Sequence, residues 1–199
     1  MNYKNKNLAI NNGIPVIKKQ FKKYNSIGNE ELQAAHKVIK SGVLSDYIAH
    51  DGPNFLGGKY VKKFERYCEK YFDVKHAITV NSWTSGLIAA VGALNTEPGD
   101  EIILPTWTMS ATAASILHYN AIPVFVDIEE DTFNIDFKEI EKKISSKTRA
   151  IITVDLFGHP SNYKELKKIA KKYKIKIISD SAQSIASKYK GKYCATIGV

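Results

Sequence analysis

Three short stretches place chemistry-capable side chains directly after apolar runs. In IKIISDSAQSIA (175–186) the run ends in a single acid, Asp180, with Gln183 three positions on. In NSWTSG (81–86) the hydroxyls of Ser82, Thr84 and Ser85 stand between HAITV and a helical pattern. In PTWTMSAT (105–112) Trp107 follows EIIL, with Met109 two residues further. Ligands on open parallel sheets gather at the carboxyl ends of the strands, so three such ends in one chain invite a common site. A hydroxyl-rich turn at a helix start suits a phosphate, because the first-turn N–H groups have no intrahelical partner. An aromatic face stacks on a planar ring. A carboxylate keeps a nearby basic nitrogen protonated.

Each stretch also has a plainer explanation. Asp180 can be a solvated loop acid, Ser82 or Thr84 a simple helix cap, and Trp107 a core residue. Their coincidence is harder to explain that way. A phosphate, a flat ring and a basic ring nitrogen together describe pyridoxal 5′-phosphate (PLP), whose pyridine nitrogen must stay protonated to draw electrons from a substrate carbanion. The absence of GxGxxG and GxxxxGK[ST] disfavours a dinucleotide or Walker-type site. Asp127, Glu129, Glu130 and Asp131 read as a turn between strand and helix rather than a metal site. His36, His50, His76, His118 and His159 show no ligand spacing, and none pairs with Cys68 or Cys194 as a nucleophile and its base. Asp155 ends another apolar run and is a further candidate for the pocket wall.

The elements that must position these residues alternate. HAITV (76–80), EIILP, IPVFVD (122–127), AIITVD (150–155) and IKIIS read as strands. Helical patterns fall between them, at SWTSGLIAAVGAL, SATAASILHY and 162–173, the last burying Tyr163, Leu166, Ile169 and Ala170. Asp136 and Glu139 form a capping-box pattern for a helix carrying Phe137, Ile140 and Ile144 inward. SKYKGKY reads as a short hairpin around Gly191. Ahead of this region, helices are expected after Asn29, with Leu32, Ala35 and Ile39 on one face, and over 59–72, with Val61, Phe64 and Cys68 on one side. Such alternation predicts an α/β fold with a mostly parallel sheet flanked by helices.

The 199 residues are 44% hydrophobic, enough to bury a sizeable core. The net charge of +9 invites a nucleic-acid reading, but Arg66 and Arg149 are the only arginines. Arginine supplies the forked donors preferred for base and phosphate recognition, so a lysine-rich solvated surface is the better account. The polar N-terminus does not resemble a signal peptide, and no apolar run approaches the ~20 residues that span a bilayer. Two cysteines without metal or disulfide spacing fit a reducing cytoplasm.

The sequence resembles the DegT/StrS-type family of PLP-dependent sugar aminotransferases, of fold type I. The resemblance runs from NNGIPVIKK and IGNEELQAAHKVIKSG through KYVKKFERYCEKYF to the end of the chain. It is densest in VNSWTSGLIAAVGAL, PGDEIILPTWTMSATAASILHYNAIPVFVDIEEDTFNID and IISDSAQSIASKYKGK. The resemblance implies that Asp180 pairs with the pyridine nitrogen and Gln183 contacts the ring's 3-oxygen face. It further implies that Ser82, Trp83 and Thr84 hold the phosphate, Trp83 through its backbone. The family usually has glycine where Trp83 stands. It commonly has a ring-stacking aromatic near the middle of PTWTMSAT, where Met109 falls; Trp107 is taken here as the ring partner.

The resemblance places the Schiff-base lysine shortly after Val199, together with the remaining sheet strands and a C-terminal small domain. Residues 1–28 are then an N-terminal arm and 29–199 part of the PLP-binding large domain. The implied reaction moves an amino group, with glutamate as donor, to a nucleotide-linked keto-sugar in polysaccharide biosynthesis, in a cytoplasmic homodimer without nucleic-acid or membrane partners. On this reading the 199 residues alone expose apolar surface and lack activity. Family members with histidine in place of the lysine are sugar dehydratases, a second reading. A non-catalytic basic binding module is the alternative from another class.

Overall fold

Side chains along a strand alternate between the two faces of a sheet, and the central strands of this protein are apolar on both. The computed structural model describes residues 7–198, in two compact units, Met1–Gly58 and Lys59–Val199. In the second unit, strands β1 (Glu101–Pro105), β2 (Ile122–Val126), β3 (Thr148–Val154) and β4 (Lys176–Asp180) form a parallel sheet in the order β2-β1-β3-β4. Ile102, Leu104, Ala150 and Ile152 face one side, where they meet Leu87 and Val91 of α3 (Trp83–Gly92) and Ile116 of α4 (Ser110–Leu117). Ile103, Ile151 and Ile177 face the other, against Ile140 of α5 (Phe137–Ile140) and Tyr163, Leu166 and Ile169 of α6 (Tyr163–Tyr173).

The chain leaves β1 outward to β2, then returns past β1 to β3. Between β1 and β3 the direction of winding therefore reverses, and at such a point the connecting loops part to leave a crevice. Asp136 caps α5 by accepting from Lys138 N–H at 2.9 Å, and Phe137 and Ile144 pack at the edge of the core as expected. The hairpin β5 (Lys188–Tyr189) and β6 (Lys192–Tyr193) turns through Lys190 and Gly191, with φ of 49° and 84°. Two consecutive left-handed residues are what a tight two-residue hairpin requires.

HAITV departs from expectation, because residues 76–80 form no strand. Ile78 is 84% exposed, and the segment has no ladder partner among the described residues. Thr79 instead donates its N–H and its hydroxyl to Glu65 Oε1, each at 2.8 Å. Alternating apolar residues give a strand only where a neighbouring strand supplies hydrogen bonds, and none does here.

In the first unit, α1 (Asn29–Ser41) starts at Gly28, whose N–H donates to Glu31 Oε2 at 2.7 Å, and stops at left-handed Gly42. Its apolar residues Leu32 and Ile39 are exposed, as are Val61 and Phe64 on α2 (Lys59–Phe72) of the second unit.

Candidate cofactor site

The carboxyl ends of β1, β3 and β4 and the start of α3 surround a cavity of about 200 Å³. Trp83, Thr84, Thr108, Met109, Asp180 and Gln183 provide its polar and polarisable lining, and Leu87, Ala111, Val154 and Leu156 its apolar walls. A second groove, of about 290 Å³, is lined by lysines and tyrosines around Tyr163 and Tyr189 and contains none of the strand-end residues. The first is where the candidate chemistry converges.

Asp180 is the last residue of β4 and only 6% exposed. Its Oδ1 accepts from the Trp83 indole Nε1 at 2.6 Å and from Ala182 N–H at 3.2 Å. Its Oδ2 has no hydrogen-bond partner among the described residues. Burial raises the carboxyl above its ordinary range and the negative charge of Asp155 adds to this, while the donors Ala182 and Trp83 oppose it. A buried acid with one free oxygen at a cavity wall is fitted to receive a cationic N–H.

Ser82 caps α3, its Oγ accepting from Ser85 N–H at 3.3 Å, and Gly86 N–H donates to Ser82 O at 3.1 Å. The N–H groups of Trp83 and Thr84 and the Thr84 hydroxyl make no hydrogen bond among the described residues. Three unused donors converge at a helix start, which is the arrangement an anion needs. Ser82 itself is not on the cavity wall. Gln183 Oε1 accepts from Phe157 N–H at 2.8 Å, leaving its amide NH₂ as a donor at the cavity. Phe157 and Gly158, at φ of 53° and 82°, make the sharp turn that brings this N–H to Gln183.

Met109, not Trp107, lines the cavity. Trp107 is 54% exposed and packs edge-on against Phe133, with ring centroids 5.6 Å apart. Asp155 also lies off the wall. It is fully buried, accepting from Ser161 N–H (2.8 Å), Tyr163 OH (2.7 Å) and Ser181 Oγ (2.8 Å). It ties α6 to the ends of β3 and β4. The contact that sequence reasoning missed is Trp83 with Asp180, 97 residues apart in the chain. Its only signal is the indole itself, standing at the start of α3. No group of three His, Cys, Asp or Glu side chains suited to a metal ion occurs among the described residues.

Comparison with known proteins gives one consistent answer. The profile of the DegT/DnrJ/EryC1/StrS aminotransferase family matches residues 25–199. The GDP-perosamine synthase of Escherichia coli O157:H7 is 40% identical over 141 residues, covering 71% of this chain and 39% of that enzyme. The aminotransferase from Psychrobacter cryohalolentis superposes with a TM-score of 0.80 at 30% identity, over 90% of this chain and 43% of its own. The E. coli GDP-4-keto-6-deoxy-D-mannose-3-dehydratase, solved with bound hydrated PLP, gives 0.77 at 29% identity, over 88% and 44%. The chain thus spans about two fifths of the length of the relatives it matches. With the parallel sheet, the strand-end cavity and a match over 25–199, the chain belongs to the DegT/DnrJ/EryC1/StrS aminotransferase family.

Proposed function

We propose that the intact protein containing this chain is a PLP-dependent aminotransferase acting on a nucleotide-linked keto-sugar, with glutamate as amino donor. The observation that carries the reading is Asp180, a buried carboxylate with Oδ2 free at the cavity and an elevated pKa. When bound, PLP supplies an electron sink for breaking a bond at the substrate's amino-bearing carbon. Asp180 Oδ2 would hold the proton at the ring nitrogen, and the Gln183 amide would donate toward the ring's oxygen. Thr84 Oγ1 and the N–H groups of Trp83 and Thr84 would take the phosphate, with Ser82 holding the turn in shape. Leu87, Ala111, Val154 and Leu156 are apolar cavity walls that would exclude water around the bound group and strengthen these polar contacts.

The lysine that binds the cofactor covalently is proposed to follow Val199, in keeping with relatives more than twice as long. A homodimer in the cytoplasm is proposed as well. Both cysteines, Cys68 and Cys194, are free thiols, as suits a reducing compartment, and no helix among the described residues is long and apolar enough to cross a membrane. The likeness to the dehydratase keeps sugar dehydration as a second reading. Incubating the intact protein with PLP, glutamate and a nucleotide-linked keto-sugar tests the main one. An amino-sugar nucleotide with stoichiometric 2-oxoglutarate is expected. A deoxy-sugar product without net amino transfer would favour dehydration, and no reaction across a panel of keto-sugars would overturn the substrate class.

A further inference from the structure

The Trp83 indole packs against Gly86. A Cβ at Gly86 would sit 2.7 Å from Cε3 and 2.9 Å from Cζ3 of the indole, closer than carbon atoms approach. Glycine is a poor residue inside a helix, so its place in α3 is explained by the ring it seats. That seat brings Nε1 to 2.6 Å from Asp180 Oδ1, an oxygen that also accepts from Ala182 N–H. One carboxylate oxygen is therefore held from two directions, by α3 and by the turn after β4. The other has no partner among the described residues, and Asp180 itself lines the cavity.

We propose that Trp83, seated by Gly86, is a positioning residue for Asp180: its indole N–H pins Oδ1 so that Oδ2 is the oxygen offered to a ring-nitrogen proton. The proposal rests on the cofactor reading above. The groups around Asp180 leave the indole a clear role. Just after β3, Asp155 contributes a second negative charge; α3 contributes the neutral Trp83 indole with Thr84 and Leu87; the stretch opening α4 contributes Thr108, Met109 and Ala111, none of them charged. The indole N–H thus favours the ionised carboxylate, against burial and against Asp155.

Pyridoxamine 5′-phosphate is a suitable probe, because it has no aldehyde and binds without a covalent bond to lysine. Its affinity for the intact protein, purified free of cofactor, is measured by calorimetry from about pH 5 to pH 8, which spans the acid side of neutrality. At acid pH both the carboxyl and the ring carry protons, and one must leave before the pair forms, so affinity falls. Removing the indole donor raises the carboxyl pKa and moves that fall to higher pH. Trp83→Phe keeps a ring and deletes the N–H; it should bind about 5- to 10-fold more weakly, the scale of one hydrogen bond, with the acid limb displaced upward. Gly86→Ala should weaken binding when the indole is present and have no effect in a Trp83→Gly background. Parent-like affinity and acid limb in Trp83→Phe, or a Gly86→Ala effect of equal size without the indole, would overturn the proposal. Parent protein that fails to bind the probe would instead overturn the cofactor reading, and this inference with it.

Discussion

Burial at the end of β4 makes Asp180 costly to ionise, and the protein keeps it there with one oxygen unsatisfied. Because the folded-state pKa is raised, the folded protein keeps this proton to higher pH than the unfolded chain does. Without cofactor, the stability contributed by Asp180 therefore falls as pH rises from the unfolded carboxyl value, about 3.9, through the raised folded value. Asp180→Asn removes that dependence while its amide oxygen can still accept from Trp83 and Ala182. The cofactor-free variant should be at least as stable as the parent at neutral pH in thermal unfolding, yet lose on the order of 10²-fold in turnover. Loss of stability together with parent-like turnover would contradict the assignment. Thr84→Val deletes an unpaired hydroxyl at the cavity with little change of shape. It should weaken pyridoxamine 5′-phosphate binding about 10- to 100-fold, the scale of a hydrogen bond to a charged group, with an unchanged circular dichroism spectrum. Equal binding would place the phosphate elsewhere.

At the scale of elements, the site is held by contacts that sequence periodicity shows unevenly. Tyr163, Leu166, Ile169 and Ala170 recur at helical spacing and are all buried on α6, so this face was legible. So was Asp180 at the end of an apolar run. The turn of Asp155 away from the cavity was not, because it depends on Ser161, Tyr163 and Ser181 converging from three segments. HAITV misled for a related reason: a strand pattern does not say whether a partner strand is present. Burial and the neighbouring Asp155 carboxylate push the Tyr163 phenol well up, so it stays protonated and donates. Tyr163→Phe should lower stability by about 1–3 kcal/mol by removing one of the donors to a buried carboxylate. Ser184 Oγ is buried without a partner among the described residues, so Ser184→Ala should be neutral or stabilising. Urea midpoints, read with unchanged m-values, separate the two outcomes. A clear loss of stability in Ser184→Ala would show that the hydroxyl is satisfied in the intact protein.

The whole molecule leaves apolar faces uncovered: Leu32 and Ile39 on α1, Val61 and Phe64 on α2, and Ile78 in the segment before α3. Such surface calls for a covering partner, and the match to relatives more than twice as long is consistent with more chain supplying it. Residues 1–199 expressed alone should then show no amino transfer. Borohydride reduction with PLP should label no single lysine; one stoichiometrically labelled lysine within these residues, with amino transfer retained, would contradict the proposed place of the catalytic lysine. Lysines of the amphipathic helix α6 such as Lys168 and Lys172 are paired with Glu165 and Glu141 at its surface. Everything proposed for the intact protein depends on a ring-nitrogen proton held by Asp180. The ¹⁵N resonance of ring-labelled PLP bound to the intact protein reports that proton directly. A protonated nitrogen at neutral pH in the parent, lost in Asp180→Asn, is the predicted result; an unprotonated nitrogen in the parent, or the same protonation in both proteins, would contradict it.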